Sequence, residues 1–254
     1  MSGKRAVPNG MSRGTVDSSD PSFAGAHPMA YFRNRTVNLL NLHYWIHAVA
    51  ATGGSAFFVT YLLKAGVPAP TALSSFALIL LGRFLIRPLI VPLTMRWGMR
   101  TMVIVGTLLT AFQFPLLAEV DGVGYMLVAL IVVSSVGDTV YWSTYHAYFA
   151  TLGDDERRGH QIGVREAVTA LVGVVSPLMT GLLLVTWGPR AAFSLATIFC
   201  IASALPLLRT PEVRVASAVS GAFRASIPGM LLFVADGWIM AVTSSSGRSR
   251  SSPR

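Results

Sequence analysis

The chain has 254 residues, of which 53% are hydrophobic and only 12% are charged, and its mean hydropathy is +0.58. A soluble domain averages about 25% charged residues, so this composition argues against a water-soluble protein and favours an integral membrane protein. The formal net charge is +9, but the basic residues lie singly between apolar runs, which argues against a nucleic-acid partner. A single cysteine, Cys200, excludes a cysteine-based metal cluster.

The first 38 residues are rich in Ser, Gly, Pro and Asn and lack the apolar core of a signal peptide, so 1–38 is predicted to be a disordered cytoplasmic tail. Six apolar runs follow, each long enough to cross a hydrocarbon core about 30 Å thick as a helix. They cover residues 39–63, 71–95, 101–118, 123–150, 167–187 and 191–208.

Short segments with turn residues connect these runs, so we predict one bundle of antiparallel transmembrane helices over residues 39–208. A cytoplasmic loop over 209–225 and a seventh span over 226–243 are predicted to follow. Residues 244–254 form a low-complexity Ser/Arg tail, typical of a linker or of an artificially ended C-terminus. The predicted fold class is all-α, a polytopic membrane helix bundle.

The distribution of Lys and Arg predicts the orientation of this bundle. With a cytoplasmic N-terminus, the cytoplasmic side holds 13 of the 20 basic residues, whereas the other side of the first six spans holds only Lys64 and Arg190. The 13 are Lys4, Arg5, Arg13, Arg33, Arg35, Arg96, Arg100, Arg157, Arg158, Arg165, Arg209, Arg214 and Arg224. We therefore predict a multi-pass protein of the plasma (inner) membrane with its N-terminus in the cytoplasm.

Motifs near the fifth run resemble those of the major facilitator superfamily. Gly173, Pro177 and Gly181 lie in a segment that is similar to the family's glycine–proline motif. Arg158 begins a segment similar to the family's Arg-Gly entry into that helix, and residues 187–193 look like the usual opening of the sixth span.

The loop after the second run resembles the corresponding loop of the same family. Arg96, Gly98 and Arg100 match the family pattern, whereas Met95 occupies the position of its Asp and Met99 one of its basic positions. The gating and loop-motif candidates that the resemblance implies are Arg96, Gly98, Arg100, Arg158, Gly173, Pro177 and Gly181.

The resemblance covers residues 36–243 and implies a secondary transporter with two six-helix halves and alternating access around a midplane site. The implied partners are the lipid bilayer, a small organic solute and a second half, with no cofactor. The alternative is a truncated, non-transporting half-bundle or a membrane structural partner. An enzyme is not predicted, because the sequence contains no HExxH motif, GxSxG motif or cluster of catalytic carboxylates.

Charged residues at the bilayer centre cost about 2.5–3.5 kcal/mol on insertion scales, so each one needs an explanation. Arg83 and Asp138 fall at similar depth in the second and fourth runs, and we predict an ion pair between them. The pair either fixes the two helices together or opens during transport. Arg87 lies one turn closer to the cytoplasm, and Asp236 is an acid within the seventh run. Such carboxylates are what proton coupling would need.

The fourth run also contains Tyr141, Trp142 and Tyr145, and a helix places Asp138, Trp142, Tyr145 and Phe149 on one face. If this face lines a cavity, it suits a cationic or aromatic organic solute through cation–π contacts. Alternatively, these aromatic residues serve only helix packing or the membrane interface.

Two further features leave alternatives open. His43 and His47 have the HxxxH spacing of a metal site, but the additional histidine clusters of such sites are missing, so we predict interfacial or cavity-lining histidines and no metal. The charged segment 153–166 is either a solvated loop or part of a gate network with Arg96 and Arg100.

Overall fold

The computed structural model of the chain describes residues 34–153 and 158–215, and within these ranges all regular secondary structure is helical. The helices are α1 (Arg35–Ala56), α2 (Phe58–Lys64), α3 (Ala69–Trp97), α4 (Met99–Ala118), α5 (Tyr125–Leu152), α6 (Arg158–Thr186) and α7 (Gly188–Leu207). Helices α3 to α7 are long and apolar enough to cross a membrane, and α1 with α2 makes a sixth candidate span. The predicted all-α membrane bundle is confirmed.

The first predicted span is a broken helix, because α1 and α2 meet at Phe57 with a bend of 41°. Helix α1 begins at Arg35, four residues before the start of the first predicted apolar run. Its start is fixed by Asn34, whose Oδ1 accepts a hydrogen bond from the Val37 N–H at 3.1 Å. The Asn34 amide also donates to the carbonyl of Leu152 at 3.2 Å, which ties α1 to the end of α5.

Glycines with positive φ allow two of the short reversals between helices. Gly98, with φ of 86°, is the single residue between α3 and α4, and Gly188, with φ of 84°, opens α7 directly after Trp187. A residue with a side chain is destabilised by roughly 1–2 kcal/mol in this left-handed region, so glycine permits each tight turn.

The helices pack side by side in the order α3, α5, α4, α7, α1 and α6. Helices α4 and α5 approach each other closely, because a Cβ at Gly106 would lie only 2.5 Å from the backbone nitrogen of Tyr141. Helices α3 and α6, at the two ends of this series, are the least buried. In their most apolar 18-residue stretches, only 11% and 6% of the residues are buried. The corresponding fraction is 44% in α4, α5 and α7.

One end of the bundle, the basic end, contains the start of α1, the α3–α4 connection and the ends of α5 and α7. Described basic residues outside the apolar runs at this end include Arg96, Arg100, Arg209 and Arg214. Lys64 and Arg190 lie at the opposite end, where the Arg190 guanidinium pairs with Glu119 at 3.0 Å. This separation is the one on which the sequence-based orientation depends.

One sequence expectation changes in the region after α5. Helix α6 begins at Arg158, so Arg165 and Glu166, predicted in a charged loop, are helical. Residues 154–157 and 216–254 lie outside the described residues, and with them lie the predicted seventh span, Asp236 and the Ser/Arg tail.

Candidate solute-binding site

A cavity of about 310 Å³, the polar cavity, lies among α1, α2, α3, α4 and α5. Its polar lining consists of His47, Thr52, Ser55, Arg83, Thr110, Gln113, Ser134 and Asp138. Phe58, Phe76 and Trp142 add aromatic surface to the same walls. A concave, largely apolar surface with a few polar groups is typical of a small-molecule site.

The predicted ion pair between Arg83 and Asp138 is present in the wall of this cavity. The Arg83 guanidinium lies 3.6 Å from the Asp138 carboxylate, and the two side chains are 30% and 24% exposed. The neighbouring Thr139 hydroxyl donates to the carbonyl of Arg83 at 3.5 Å, so two contacts connect α3 with α5 here. The two charges neutralise each other at the surface of the cavity.

A second cavity of about 660 Å³, the basic-end cavity, lies between α3 and α5 toward the basic end. Arg83 and Trp142 line it together with Arg87, and Ser143, Thr144 and His146 contribute polar side chains from α5. Because Arg83 and Trp142 belong to both cavities, the two spaces share a wall. Together they place two arginines and one aspartate along the α3–α5 face.

The two histidines of α1 belong to a buried layer of aromatic rings. His43 bonds through Nδ1 to the Ser203 carbonyl at 2.7 Å and through Nε2 to the Tyr141 hydroxyl at 3.2 Å. His47 stacks on Tyr141 with ring centroids 4.0 Å apart, and its Nε2 has no hydrogen-bond partner among the described residues. His47 also lines the polar cavity, whereas His43 is in the core. No group of three metal-ligating side chains occurs in the described ranges.

The predicted face of α5 divides between two environments. Asp138 and Trp142 line the polar cavity, whereas Tyr145 and Phe149 are buried against Arg165 of α6. Tyr141 is also fully buried, so it contacts α1 rather than open cavity space.

Arg165 is held in a box of aromatic rings that sequence reasoning did not identify. Its guanidinium carbon lies 4.8 Å from the ring centroid of Tyr44, 5.0 Å from that of Phe149 and 6.0 Å from that of Tyr145. It also pairs with Glu166 at 2.7 Å, and Trp45 donates to its backbone carbonyl at 3.3 Å. Arg165 is therefore a buried contact that joins α6 to α1 and α5, and not part of a solvated loop.

The segment after α7 folds back over the α3–α4 connection and forms a clamp at the basic end. The Glu212 carboxylate accepts hydrogen bonds from the N–H groups of Arg100 and Thr101 at 2.9 and 3.3 Å and from the Thr101 hydroxyl at 2.8 Å. The Arg100 Nε lies 3.4 Å from the same carboxylate, and the Tyr148 hydroxyl donates to Thr210 at 2.8 Å. Arg100 thus pairs with Glu212. The acidic residues 154–156 lie outside the described residues, so the gate network of this segment with Arg96 and Arg100 stays a prediction.

Glu212 was missed by sequence reasoning, although a signal existed. The first turn of α4 contains no acidic residue, and Gly98 supplies no side chain to cap it. Free N–H groups at a helix start require an acceptor from elsewhere, and a carboxylate there is favoured by the helix dipole. The isolated acid that follows Pro211 meets this need. Arg96, also a gating candidate, is exposed in the last turn of α3.

The two glycines of the glycine–proline segment of α6 differ in their surroundings. Gly181 lies against Phe57, and a Cβ there would be 3.1 Å from that ring. Gly173 has no neighbouring described atom within 4 Å of its Cβ position, so it does not mediate close packing there. The close approach is instead made by Gly53 of α1, near the carbonyl of Ser176. Pro177 is inside α6, and the helix begins at Arg158.

A third cavity of about 410 Å³, the apolar cavity, lies among α1, α6 and α7. Ser176 and Thr180 are its only hydroxyl-bearing residues among the described lining, and the other lining residues are aliphatic or aromatic. Val49 contributes to it from α1. Helix α1 therefore separates a charged cavity from an uncharged one.

Helices of this length, apolarity and packing define a polytopic membrane protein, and the cavity with charged walls is its candidate solute site. A family model described as Major Facilitator Superfamily matches residues 42–248, which is most of the chain. The chain belongs to the Major Facilitator Superfamily, whose members are transporters and not enzymes. The resemblance inferred from the sequence is confirmed. Comparison with curated proteins finds no match.

Proposed function

We propose that this transporter moves a small organic solute by alternating access, with the polar cavity and the basic-end cavity as the solute path. The observation that carries the proposal is the Arg83–Asp138 pair, which lies in the wall of the polar cavity among transmembrane helices. Charged side chains inside a membrane bundle are expensive and are retained mainly where they serve transport. Trp142, next to this pair in both cavities, supplies surface for the apolar part of a solute.

Coupling to protons is the second part of the proposal, with Asp138 as the proton acceptor. Protonation of Asp138 removes the charge that holds Arg83, so the contact between α3 and α5 weakens and the cavity walls can separate. The titratable or charged groups that share the two cavities with Asp138 are Arg83 and Arg87 of α3, His47 of α1 and His146 of α5. Helix α4 contributes only uncharged residues, Thr110 and Gln113 to the polar cavity and Met99 to the basic-end cavity.

Orientation and assembly complete the proposal. The basic end faces the cytoplasm of a plasma (inner) membrane, because basic residues concentrate on the cytoplasmic side of membrane proteins. The poorly buried surfaces of α3 and α6 pack against a second helical half, since alternating access requires two bundles that rock around a shared site. Asp236 remains a candidate for the same path from outside the described residues.

The test is uptake by the full chain in proteoliposomes. Radiolabelled amino acids, sugars, organic acids and organic amines are offered with and without an inward proton gradient. We expect at least one solute to accumulate above the level in empty liposomes, and to accumulate faster with the gradient. Identical rates in both conditions would remove proton coupling, and no accumulation of any solute would contradict the transport proposal.

A further inference from the structure

The groups that would attract a cationic solute are already occupied. Asp138 is the only acidic residue that lines either the polar or the basic-end cavity in the described part of the chain, and Arg83 neutralises it at 3.6 Å. A cationic solute would have to displace a guanidinium that the protein itself supplies. The carboxylate is therefore a weak recognition element for a positive charge.

The aromatic face of α5 is occupied in the same way. Tyr145 and Phe149 surround the guanidinium of Arg165, whose side chain is only 9% exposed. A box of aromatic rings binds one cation, and here it holds a residue of the protein. Of the aromatic residues on the predicted face, only Trp142 remains available to a solute in the cavities.

Arg87 leaves an excess of positive charge. Its side chain lines the basic-end cavity, and no acidic side chain of the described residues lies within ion-pair distance of it. With Asp138 neutralised by Arg83, Arg87 is the charge on the α3–α5 face that has no partner among the described residues. A guanidinium without a partner strongly favours a carboxylate or phosphate.

Thr144 provides an independent indication that a polar ligand binds here. Thr144 is one of the α5 residues that line the basic-end cavity, the residue is 1% exposed, and its buried hydroxyl has no hydrogen-bond partner within the described ranges. A buried hydroxyl without a partner costs roughly 1–3 kcal/mol, so a ligand oxygen that accepts its hydrogen bond would remove this cost. Ser143 adds a second hydroxyl to the same wall.

We propose that the solute is an organic anion, and that its anionic group binds between Arg87 and Thr144 while its apolar part contacts Trp142. This inference rests on the proposed function of the two cavities as the solute path. It assigns a substrate class of the opposite charge to the one that the acid and aromatic residues of α5 favoured in the sequence.

The proposal is tested with three ligands of similar shape and different charge: benzoate, benzamide and benzamidine. The full chain is placed in phosphatidylcholine nanodiscs, and the thermal unfolding midpoint is measured as each ligand is titrated, because binding to the folded state raises the midpoint. Benzoate is expected to stabilise the protein most. Arg87→Gln should weaken benzoate binding roughly tenfold or more, as for the loss of a charged hydrogen bond.

Arg209→Gln is the matched control, because it removes the same charge from an exposed position at the basic end that lines neither cavity. It should leave benzoate binding unchanged, and Arg87→Lys should retain a measurable part of it even if Arg87→Gln folds poorly. Stronger stabilisation by benzamidine, or equal benzoate binding by Arg87→Gln and Arg209→Gln, would overturn the proposal. The same holds if none of the three ligands binds.

A lipid headgroup is a second source of an anionic group, so phosphatidylglycerol is added to the nanodiscs in a separate arm. If phosphatidylglycerol stabilises the protein through Arg87 and benzoate does not, the anion is a lipid and the solute proposal is wrong. Binding of benzamide or benzamidine instead of benzoate would still support the cavities as a solute site. It would overturn only the proposal that the solute is an anion. The uptake panel tests transport itself, so the two failures are distinguishable.

Discussion

The two sides of α1 face cavities of similar size and opposite chemistry. The polar cavity, about 310 Å³, has Arg83 and Asp138 in its wall, whereas the apolar cavity, about 410 Å³, has no charged residue among its described lining. Val49 lines the apolar cavity and Thr52, a side chain of nearly the same shape three residues later, lines the polar one. Size alone therefore does not distinguish a candidate solute site in this bundle.

Charge distinguishes the two cavities. A helix bundle with a purely structural role has little reason to keep charged side chains in a cavity wall. An apolar cavity among transmembrane helices costs little, since lipid tails are as apolar as the residues that line it. A charged wall lowers the stability of the bundle unless each charge has a partner. We therefore assign function to the polar side of α1, and the following predictions test that assignment.

The largest effect is expected when each cavity is blocked from the same helix. Thr52→Phe fills the polar cavity and should reduce uptake of the accumulated solute at least tenfold, because the solute path is closed. Val49→Phe adds the same ring to the apolar cavity and should leave uptake within about twofold of wild type. Uptake by purified, equally folded proteins in liposomes measures this, and equal losses in both variants would contradict the assignment.

The ion pair should show strong coupling between its two members. Asp138→Asn or Arg83→Gln alone leaves one charge without its partner, and each should destabilise the protein by about 1–3 kcal/mol. The double variant removes both charges and should recover most of that loss. Denaturation of the four proteins in detergent gives the coupling free energy. Single variants as stable as wild type would mean that the pair does not hold α3 to α5.

The two ends of the bundle should respond differently to the loss of a carboxylate. Glu212→Ala removes the acceptor for the first turn of α4 and should cost about 2 kcal/mol, since two backbone N–H groups and a hydroxyl lose their partner. Glu119→Ala breaks an exposed pair with Arg190 at the opposite end and should cost less than about 1 kcal/mol. Equal unfolding midpoints for the two variants would show that the clamp contributes no more than a surface pair.

The smallest effect is expected at the aromatic box, which is formed by the rings of Tyr44, Tyr145 and Phe149 around Arg165. Arg165→Lys keeps the charge but loses the planar contact with Tyr44 and Phe149, and should reduce stability by about 1 kcal/mol. Arg190→Lys is the control, because that side chain is 80% exposed and contacts no aromatic box. Thermal unfolding of both variants measures the difference, and an unchanged midpoint for Arg165→Lys would exclude a stabilising role for the box.

The sequence predicted the features that depend on hydropathy and on depth in the membrane. The apolar runs located the helices, and the similar depth of Arg83 and Asp138 was enough to predict their contact. Both inferences use only the position along a span. Neither requires knowledge of which helix faces which.

The features that were missed depend on helix packing and on the path of the chain between helices. Tyr145 and Phe149 share a face of α5 with Asp138, but only the position of α6 determines that Arg165 covers them. The contact between Glu212 and Arg100 similarly joins residues far apart in the sequence. Hydropathy contains no information about such contacts.

The central claim is that the polar cavity is part of the solute path and opens alternately to the two sides of the membrane. Labelling α1 from both sides tests this claim most directly. Cys200, the sole cysteine, is buried and is replaced by Ser, and Thr52→Cys and Val49→Cys are introduced separately. A membrane-impermeant maleimide is then added to either side of the proteoliposomes. We predict that Thr52→Cys reacts from both sides and Val49→Cys from neither. Reaction of Thr52→Cys from one side only, or equal reaction of both variants, would contradict the account.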